Sequence, residues 1–242
     1  MRCRLIDYSQ QDFAANISLE EALFEAVAAG ASEPIFRFWH NGPAVAMGIS
    51  QRMADMVYME CCREDGVPLV RRFSGGGTVY HDDGNLNFTL ILPNTMSIKD
   101  SYNLICGTLA ATLTSQGLAA ELGRISDVMI NGRKVSGNAQ ARRRGALLHH
   151  GTILIDMDVL PVKRYLKIPP GVHYTDHLNF ITTLEREGYS GGERELKKAM
   201  IACFAERFDL DLYEDKPSVT ELKRSSVLLQ ERYLQAEWNE RR

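Results

Sequence analysis

The chain has 242 residues, 45% hydrophobic and 24% charged, with a formal net charge of −3. That length fits one large domain or one plus a small appendage, and the composition supports a sizeable core. The charge excludes a surface that tracks nucleic acid throughout, and no apolar run approaches the roughly 20 residues of a membrane-spanning helix.

Ser18 and Glu21 have the spacing of a capping box, and Leu19, Leu23, Ala26 and Val27 form an apolar stripe. These predict a first helix over Ser18–Ala29, closed by Gly30. Strands are expected at Ile35–Trp39 and Ala44–Gly48, joined through Asn41-Gly42-Pro43, then a short helix over Met53–Arg63 and a strand over Pro68–Phe73. A glycine-rich loop leads to a strand at Asn85–Leu92 and a long helix over Ile98–Gln116, ended by Gly117. Asp127–Ile130 and Arg133–Ser136 flank Asn131-Gly132, a dipeptide suited to a type I′ hairpin turn. A strand over Ala146–Asp156, a Pro- and Gly-rich loop at Ile168–Val172, and a helix over Gly192–Phe208 follow. The capping box Ser218–Glu221 opens a last helix. The pattern predicts an α+β fold around a largely antiparallel mixed sheet flanked by helices, with residues 160–242 as a helical flank of a single domain.

Two segments carry chemistry. In Arg71-Arg72-Phe73-Ser74-Gly75-Gly76-Gly77-Thr78-Val79-Tyr80-His81, three glycines let backbone approach a ligand, and two arginines stand beside them. Such a loop is either a flexible turn or an anion cradle of converging amides and guanidinium groups. In the hairpin, a two-residue turn and period-two alternation put Asp127, Met129, Lys134 and Ser136 on one face. Val128, Ile130 and Val135 take the other, which wants a core. The polar face is either the wall of a site or a solvated surface. Beyond it, His149 and His150 point to opposite faces of a strand, with one buried and one exposed as the plain expectation. Arg142-Arg143-Arg144 is either a solvated loop or a patch that steers an acidic partner.

Arg71 to Asn87 resembles the R-R-x-S-G-G-G-x-V-x-H-D-x-G-N-L-N signature of lipoate–protein ligases, and Gly132 to Gln140 resembles their G-x-K-[IV]-S-G-x-A-Q segment. The His-Gly-Thr-Ile-Leu strand at His150–Leu154 also follows in family order. The resemblance covers about residues 15–160, and Ala236–Asn239 is similar to the end of short, archaeal-type ligases. It implies the catalytic fold shared with biotin ligases and class II aminoacyl-tRNA synthetases. It also implies a two-step reaction: lipoate and ATP form lipoyl-AMP, then the lipoyl group passes to a lysine of an E2 lipoyl domain or of H protein.

By the same resemblance, Lys134 is the catalytic cation, bridging acyl carbonyl and α-phosphate. Arg71, Arg72, Gly77, Thr78, Val79 and Tyr80 would contact ATP or lipoyl-AMP, with His81, Asn85 and Asp127 as second contacts. Ser74, Gly75, Gly76, Gly77, Ser136, Gly137, Ala139 and His150 would line the lipoyl channel beside Lys134. Magnesium would accompany the triphosphate, with no carboxylate cluster to identify its ligands.

The nearest rival is an octanoyltransferase or lipoyl amidotransferase working through a cysteine thioester. Gly123–Asp127 holds no cysteine, and none comes directly after the His149–Asp156 strand, where a branch of transferases carries it. Cys3, Cys61, Cys62, Cys106 and Cys203 show no metal-like spacing, and Met1–Tyr8 holds no signal-peptide core, so a cytoplasmic protein is expected. A non-catalytic lipoyl- or acyl-binding protein would not need Lys134, and biotin ligases carry a G-R-G-R-x-G loop that is missing here. The length leaves no room for a full additional C-terminal domain, so a separate small accessory subunit is expected to complete adenylation. No nucleic-acid or membrane partner is implied.

Overall fold

The computed structural model describes residues 1–124, 126–143, 145–169 and 176–241. The larger sheet runs β11 (Asp211–Glu214), β1 (Arg2–Asp7), β2 (Ile35–Trp39), β6 (Asn85–Pro93), β10 (Ala146–Leu154), β9 (Arg133–Arg143), β8 (Asp127–Ile130) and β7 (Ala120–Leu122). β1 pairs in parallel with β11 and β2, and the remaining neighbours are antiparallel. A smaller sheet has β3 (Ala44–Met47) between β4 (Leu69–Arg71) and β5 (Val79–His81). This is the expected α+β arrangement around a largely antiparallel sheet.

Helices cover both faces of the large sheet, which explains why β6 reads as a nearly continuous apolar run. On one face, Leu86, Phe88, Leu90 and Leu92 pack with Ile105 and Leu109 of α4 (Ile98–Ser115) and with Met200 and Phe204 of α7 (Gly192–Phe208). On the other, Ile91 and Leu148 meet Leu19, Leu23 and Phe24 of α1 (Phe13–Ala28). Fully burying one such Leu or Phe contributes about 2 kcal/mol.

The differences from expectation have local causes. α1 begins at Phe13, where the Asp12 carboxylate accepts the Ala15 amide at 2.8 Å. Ser18 lies inside the helix, its hydroxyl on the Ala15 carbonyl and against Ser225. The first turn is buried almost all round, so it lacks the one-sided stripe that marks a helix. β2 and β3 are not a hairpin; the chain leaves one sheet for the other near Asn41. The helix expected over Met53–Arg63 is two short ones, α2 (Met53–Met56) and α3 (Met59–Glu64). β1 and β11 carry charges that mask their strand alternation, and β11 puts a strand into the stretch expected to be helical. Residues 170–172 of the Pro- and Gly-rich loop lie outside the described residues.

Arg4 explains how β1 tolerates its charge. Its guanidinium donates to Asp215 at 2.7 Å, Ser32 at 2.7 Å, and Glu221 at 2.5 and 3.0 Å. Glu221 also closes the capping box with Ser218 at the start of α8 (Val219–Leu228), as expected. Burial works against the Glu221 carboxylate, but Arg4 and the Ser218 amide hold its pKa below 4.5. Removing one member strands a charge, so Glu221→Ala should cost about 3 kcal/mol in urea unfolding at neutral pH. Because the folded carboxyl is the stronger acid, that contribution is present above about pH 4.5 and disappears below it. A loss under about 1 kcal/mol at neutral pH would contradict the assignment.

Candidate functional site

A cavity of about 200 Å³ lies between the large sheet and the small one. Phe13 and Ile17 of α1, Trp39 of β2 and Ala46 of β3 form an apolar portion of its wall. Arg72, Gly76, Gly77, Thr78, Val79 and His81 come from the glycine loop and β5. Lys134, Gly137, Asn138 and Ala139 of β9, with His150, Gly151 and Thr152 of β10, close the remaining side. An adjoining hollow shares Thr78, Val79, Lys134, Gly137 and Thr152, and continues to Tyr80, Leu154, Met157 and Val162.

Lys134 stands where the two spaces meet. Its ammonium lies 2.7 Å from Asp127 Oδ1, and both side chains are largely buried. The hairpin forms as predicted, with Asn131 and Gly132 at φ 51° and 74°, and with Ile130 opposite Arg133 and Met129 opposite Lys134. A bulge then intervenes. Val128 pairs with Ser136, and Asp127 with Gly137, which leaves Val135 as the extra residue. Val128, Ile130 and Val135 enter the core as expected. Ser136 leaves the polar face; it is fully buried and receives a hydrogen bond from Asn138. Gly137 takes its place, and a Cβ there would sit 2.7 Å from Lys134 Cε and Nζ.

The two arginines have separate tasks. Arg72 is buried against the loop itself, donating to Ser74 Oγ at 3.0 Å, the Gly75 carbonyl at 2.6 Å and the Gly77 carbonyl at 2.8 Å. Burial pushes its pKa down to about 10, which leaves it charged at neutral pH and without an ion pair among the described residues. Arg71 points away from the cavity. Its guanidinium is held by the carbonyls of Gly48, Ile49, Gln51, Trp238, Asn239 and Arg241.

Both histidines of the pair are buried, contrary to the expectation of one exposed. His150 faces the cavity side, with Nε2 2.7 Å from Ser74 Oγ and Nδ1 3.4 Å from Glu20. His149 faces α4, between Gln140 and Asn138. Glu20 carries no signal in the sequence, where it stands beside Glu21 of the expected capping box. It is fully buried, ion-paired to Arg37 at 2.5 Å and hydrogen-bonded by Thr89. Burial would raise its pKa, but Arg37 and His150 hold it below the usual range.

The other candidate residues spread out. Ser74 sits behind the lining, between Arg72 and His150, and the Gly75 amide donates to the Gln140 carbonyl at 3.3 Å. Tyr80 packs on Tyr165 in the adjoining hollow. Asn85 is buried elsewhere, beneath an acidic depression formed by Asp82, Asp83, Asp156 and Asp158. Arg142 is committed to Asn94, Met96, Ser97 and Ser101, and Arg143 approaches Glu25; Arg144 lies outside the described residues. Trp39, Asn138 and Thr152 line the cavity but carry no signal in a single sequence. Thr78 Oγ1 and His81 Nε2 are buried without a partner among the described residues.

His81 and His149 have pKa values lowered from 6.5 to about 3, by burial first, with further lowering by the Arg72 guanidinium and the His150 ring for His81 and by the His150 ring for His149. Both are neutral in the fold and protonate more readily once exposed. Their stabilising contribution is therefore complete above about pH 6.5 and is lost progressively as pH falls towards about 3. Unfolding free energy should decline between about pH 6.5 and 5, by up to about 1.4 kcal/mol per unit for each ring. A His149→Asn variant that kept the full slope would count against this origin.

Residues 12–204 match the family described as lipoyl protein ligase A/B catalytic domain. A putative lipoate-protein ligase A of Aeropyrum pernix is 38% identical over 154 residues, which are 64% of this chain and 58% of that relative. Lipoate-protein ligase A subunit 1 of Thermoplasma acidophilum is 28% identical over 240 residues, 93% of this chain and 90% of the relative. A solved archaeal lipoylation system, a bi-partite lipoate protein ligase and its E2 lipoyl domain from Thermoplasma acidophilum, superposes with a TM-score of 0.90 at 27% identity, covering 99% of this chain and 96% of that one. A lipoate-protein ligase A bound with ATP gives the same TM-score and identity over 99% of both chains. The span over the Aeropyrum relative is under two thirds of its length, whereas the Thermoplasma subunit is matched almost end to end.

Proposed function

This chain belongs to the lipoyl protein ligase A/B catalytic domain family, and on that premise we propose that it is a lipoate–protein ligase. It would join lipoate to ATP as lipoyl-AMP and pass the lipoyl group to a lysine of an acceptor protein. The observation that carries this reading is the Lys134 ammonium at the junction of two hollows, fixed by Asp127 at 2.7 Å. The ligand-bound relatives support it: one carries ATP, and another from Thermoplasma acidophilum carries lipoic acid.

In the first step a carboxylate oxygen attacks the α-phosphorus and pyrophosphate leaves. Two anions have to meet, and a pre-positioned cation lowers that barrier without reorganising. Lys134 is suited to this because a paired strand and a carboxylate hold it before substrate arrives. Arg72 supplies a second buried positive charge on the glycine-loop side. In the second step the acceptor amine attacks the acyl carbonyl and AMP departs with the bonding pair. Lys134 stabilises the oxyanion that forms before AMP leaves, and the amine proton passes to solvent or to the departing phosphate.

The cavity wall, among the described residues, includes no carboxylate. These residues offer magnesium no ligand of their own, and the ion would be held by the triphosphate, whose charge it would neutralise. Thioester chemistry finds no support in the thiols. None lines the cavity, and burial pushes Cys106 up to about 12 and Cys62 to about 11. Lipoyl domains are the proposed acceptors, with H protein as a further one, and an accessory subunit is proposed from the bi-partite Thermoplasma system. Arg142 donates only to neutral oxygens and keeps its charge, and the Arg143 side chain is about half exposed beside it, so both remain candidates for steering an acidic acceptor. No helix among the described residues is long and apolar enough to cross a membrane.

Lys134→Ala should lower lipoate-dependent ATP–pyrophosphate exchange by about a hundredfold or more, while the chain still melts cooperatively with a midpoint lowered only by the loss of the Asp127 ion pair. A fully active variant would remove Lys134 from the mechanism. Gly137→Ala should also fold, because its Cβ meets only the flexible end of Lys134. Displacing that ammonium should cost about tenfold or more in exchange rate, whereas wild-type exchange would show that its position is not critical.

A further inference from the structure

The mechanism does not use Arg71, yet this buried guanidinium is among the most heavily bonded groups in the molecule. It lies at the end of β4, an edge strand of the small sheet, and the glycine loop begins immediately after it. The inner edge of β4 pairs with β3, with Met47 opposite Arg71. The outer edge is completed by side chains of the C-terminal segment. Asn239 Oδ1 accepts the Arg71 amide at 2.8 Å, and Trp238 Nε1 donates to the Arg71 carbonyl at 2.7 Å. Two side chains stand in for a missing strand.

The guanidinium extends the same link across the sheet. Nε, with Nη2, reaches the carbonyls of Trp238, Asn239 and Arg241, while Nη1 reaches those of Gly48, Ile49 and Gln51. The 48–49 turn touches the glycine loop directly. The Ile49 amide donates to the Ser74 carbonyl at 3.0 Å, and a Cβ on Gly48 would lie 2.0 Å from the Gly76 carbonyl oxygen. Gly76 itself has φ 86° and lines the cavity. A continuous chain of contacts therefore runs from Trp238 and Asn239 through Arg71 and the 48–49 turn to the loop that faces the ligand. The Trp238 ring is itself held, with the Arg241 guanidinium 3.7 Å from its centre and that of Arg232 at 4.7 Å.

We propose that Trp238 and Asn239 are positioning residues for the glycine loop: acting through Arg71, they set the loop in the conformation that receives the acyl-adenylate. This rests on the ligase reading for the identity of the ligand, but the coupling between tail and loop does not. A loop rich in glycine has many accessible conformations, and fixing it before binding removes an entropic cost from the affinity. Charge complementarity at the cavity would persist without the strap, whereas pre-organisation would not.

The test uses the full chain with Trp238→Phe, which keeps a ring but removes the N–H donor, and with Asn239→Ala. Calorimetry with a non-hydrolysable sulfamoyl analogue of lipoyl-AMP should show about tenfold weaker binding in each variant. Hydrogen exchange should accelerate at residues 48–51 and 74–77, with the rest of the chain and the thermal midpoint close to wild type. Wild-type affinity and wild-type loop exchange would overturn the proposal. So would a lowered midpoint with exchange rising throughout, since that marks general destabilisation. If the unaltered chain binds no adenylate analogue, the ligase reading fails, while the exchange pattern still decides whether tail and loop are coupled.

Discussion

A guanidinium buried without a carboxylate has to find oxygen elsewhere, and Arg72 finds it in the carbonyls of the loop that follows. This one constraint organises the site. The carbonyls of Gly75 and Gly77 turn inward to meet the charge, and the intervening residue adopts φ 86°, which favours glycine. A carboxylate partner would have neutralised Arg72; carbonyl dipoles orient it but leave its positive field intact. That field persists at the cavity wall and favours an anion, whether carboxylate or phosphate. The same contacts thus shape the loop and give it electrostatic purpose.

Behind the loop, a second polar chain ties it to the scaffold. Ser74 meets His150, His150 meets Glu20, and Glu20 is paired with Arg37. These groups come from the loop, β10, α1 and β2, so the loop is referenced to two strands of the large sheet and to the helix that covers it. A buried network is rigid only when nearly every member is satisfied, and here each side chain has a partner. Lys134 is anchored independently through Asp127, which explains how two opposite walls of a small cavity hold their positions.

The glycine loop and the lysine hairpin were legible because their residues are unusual in kind: consecutive glycines, paired arginines, an Asn-Gly turn. The central strands and long helices were legible because burial leaves a period in the sequence. Other features left no such trace. β1 and β11 hide behind charges whose partners, Arg4 with Asp215 and Glu221, lie more than two hundred residues apart in the chain. Glu20 resembled an ordinary surface glutamate, since burial of a paired charge is a tertiary fact. Arg71 and Arg72 look interchangeable side by side, but successive residues on an extended backbone face opposite ways. One serves the cavity and the other the scaffold.

The bulge at Val135 has a meaning for how the lysine segment is read. In an unbroken strand, residues three apart lie on opposite faces. Here Lys134 and Gly137 share a face, because Val135 and Ser136 together stand opposite Val128. The interval from lysine to glycine is therefore a ruler as much as a set of side chains. Its two inner positions serve the core, while their number decides which way the ammonium points. A substitution within the interval alters packing; a one-residue insertion or deletion would reverse the parity and turn the ammonium out of the cavity.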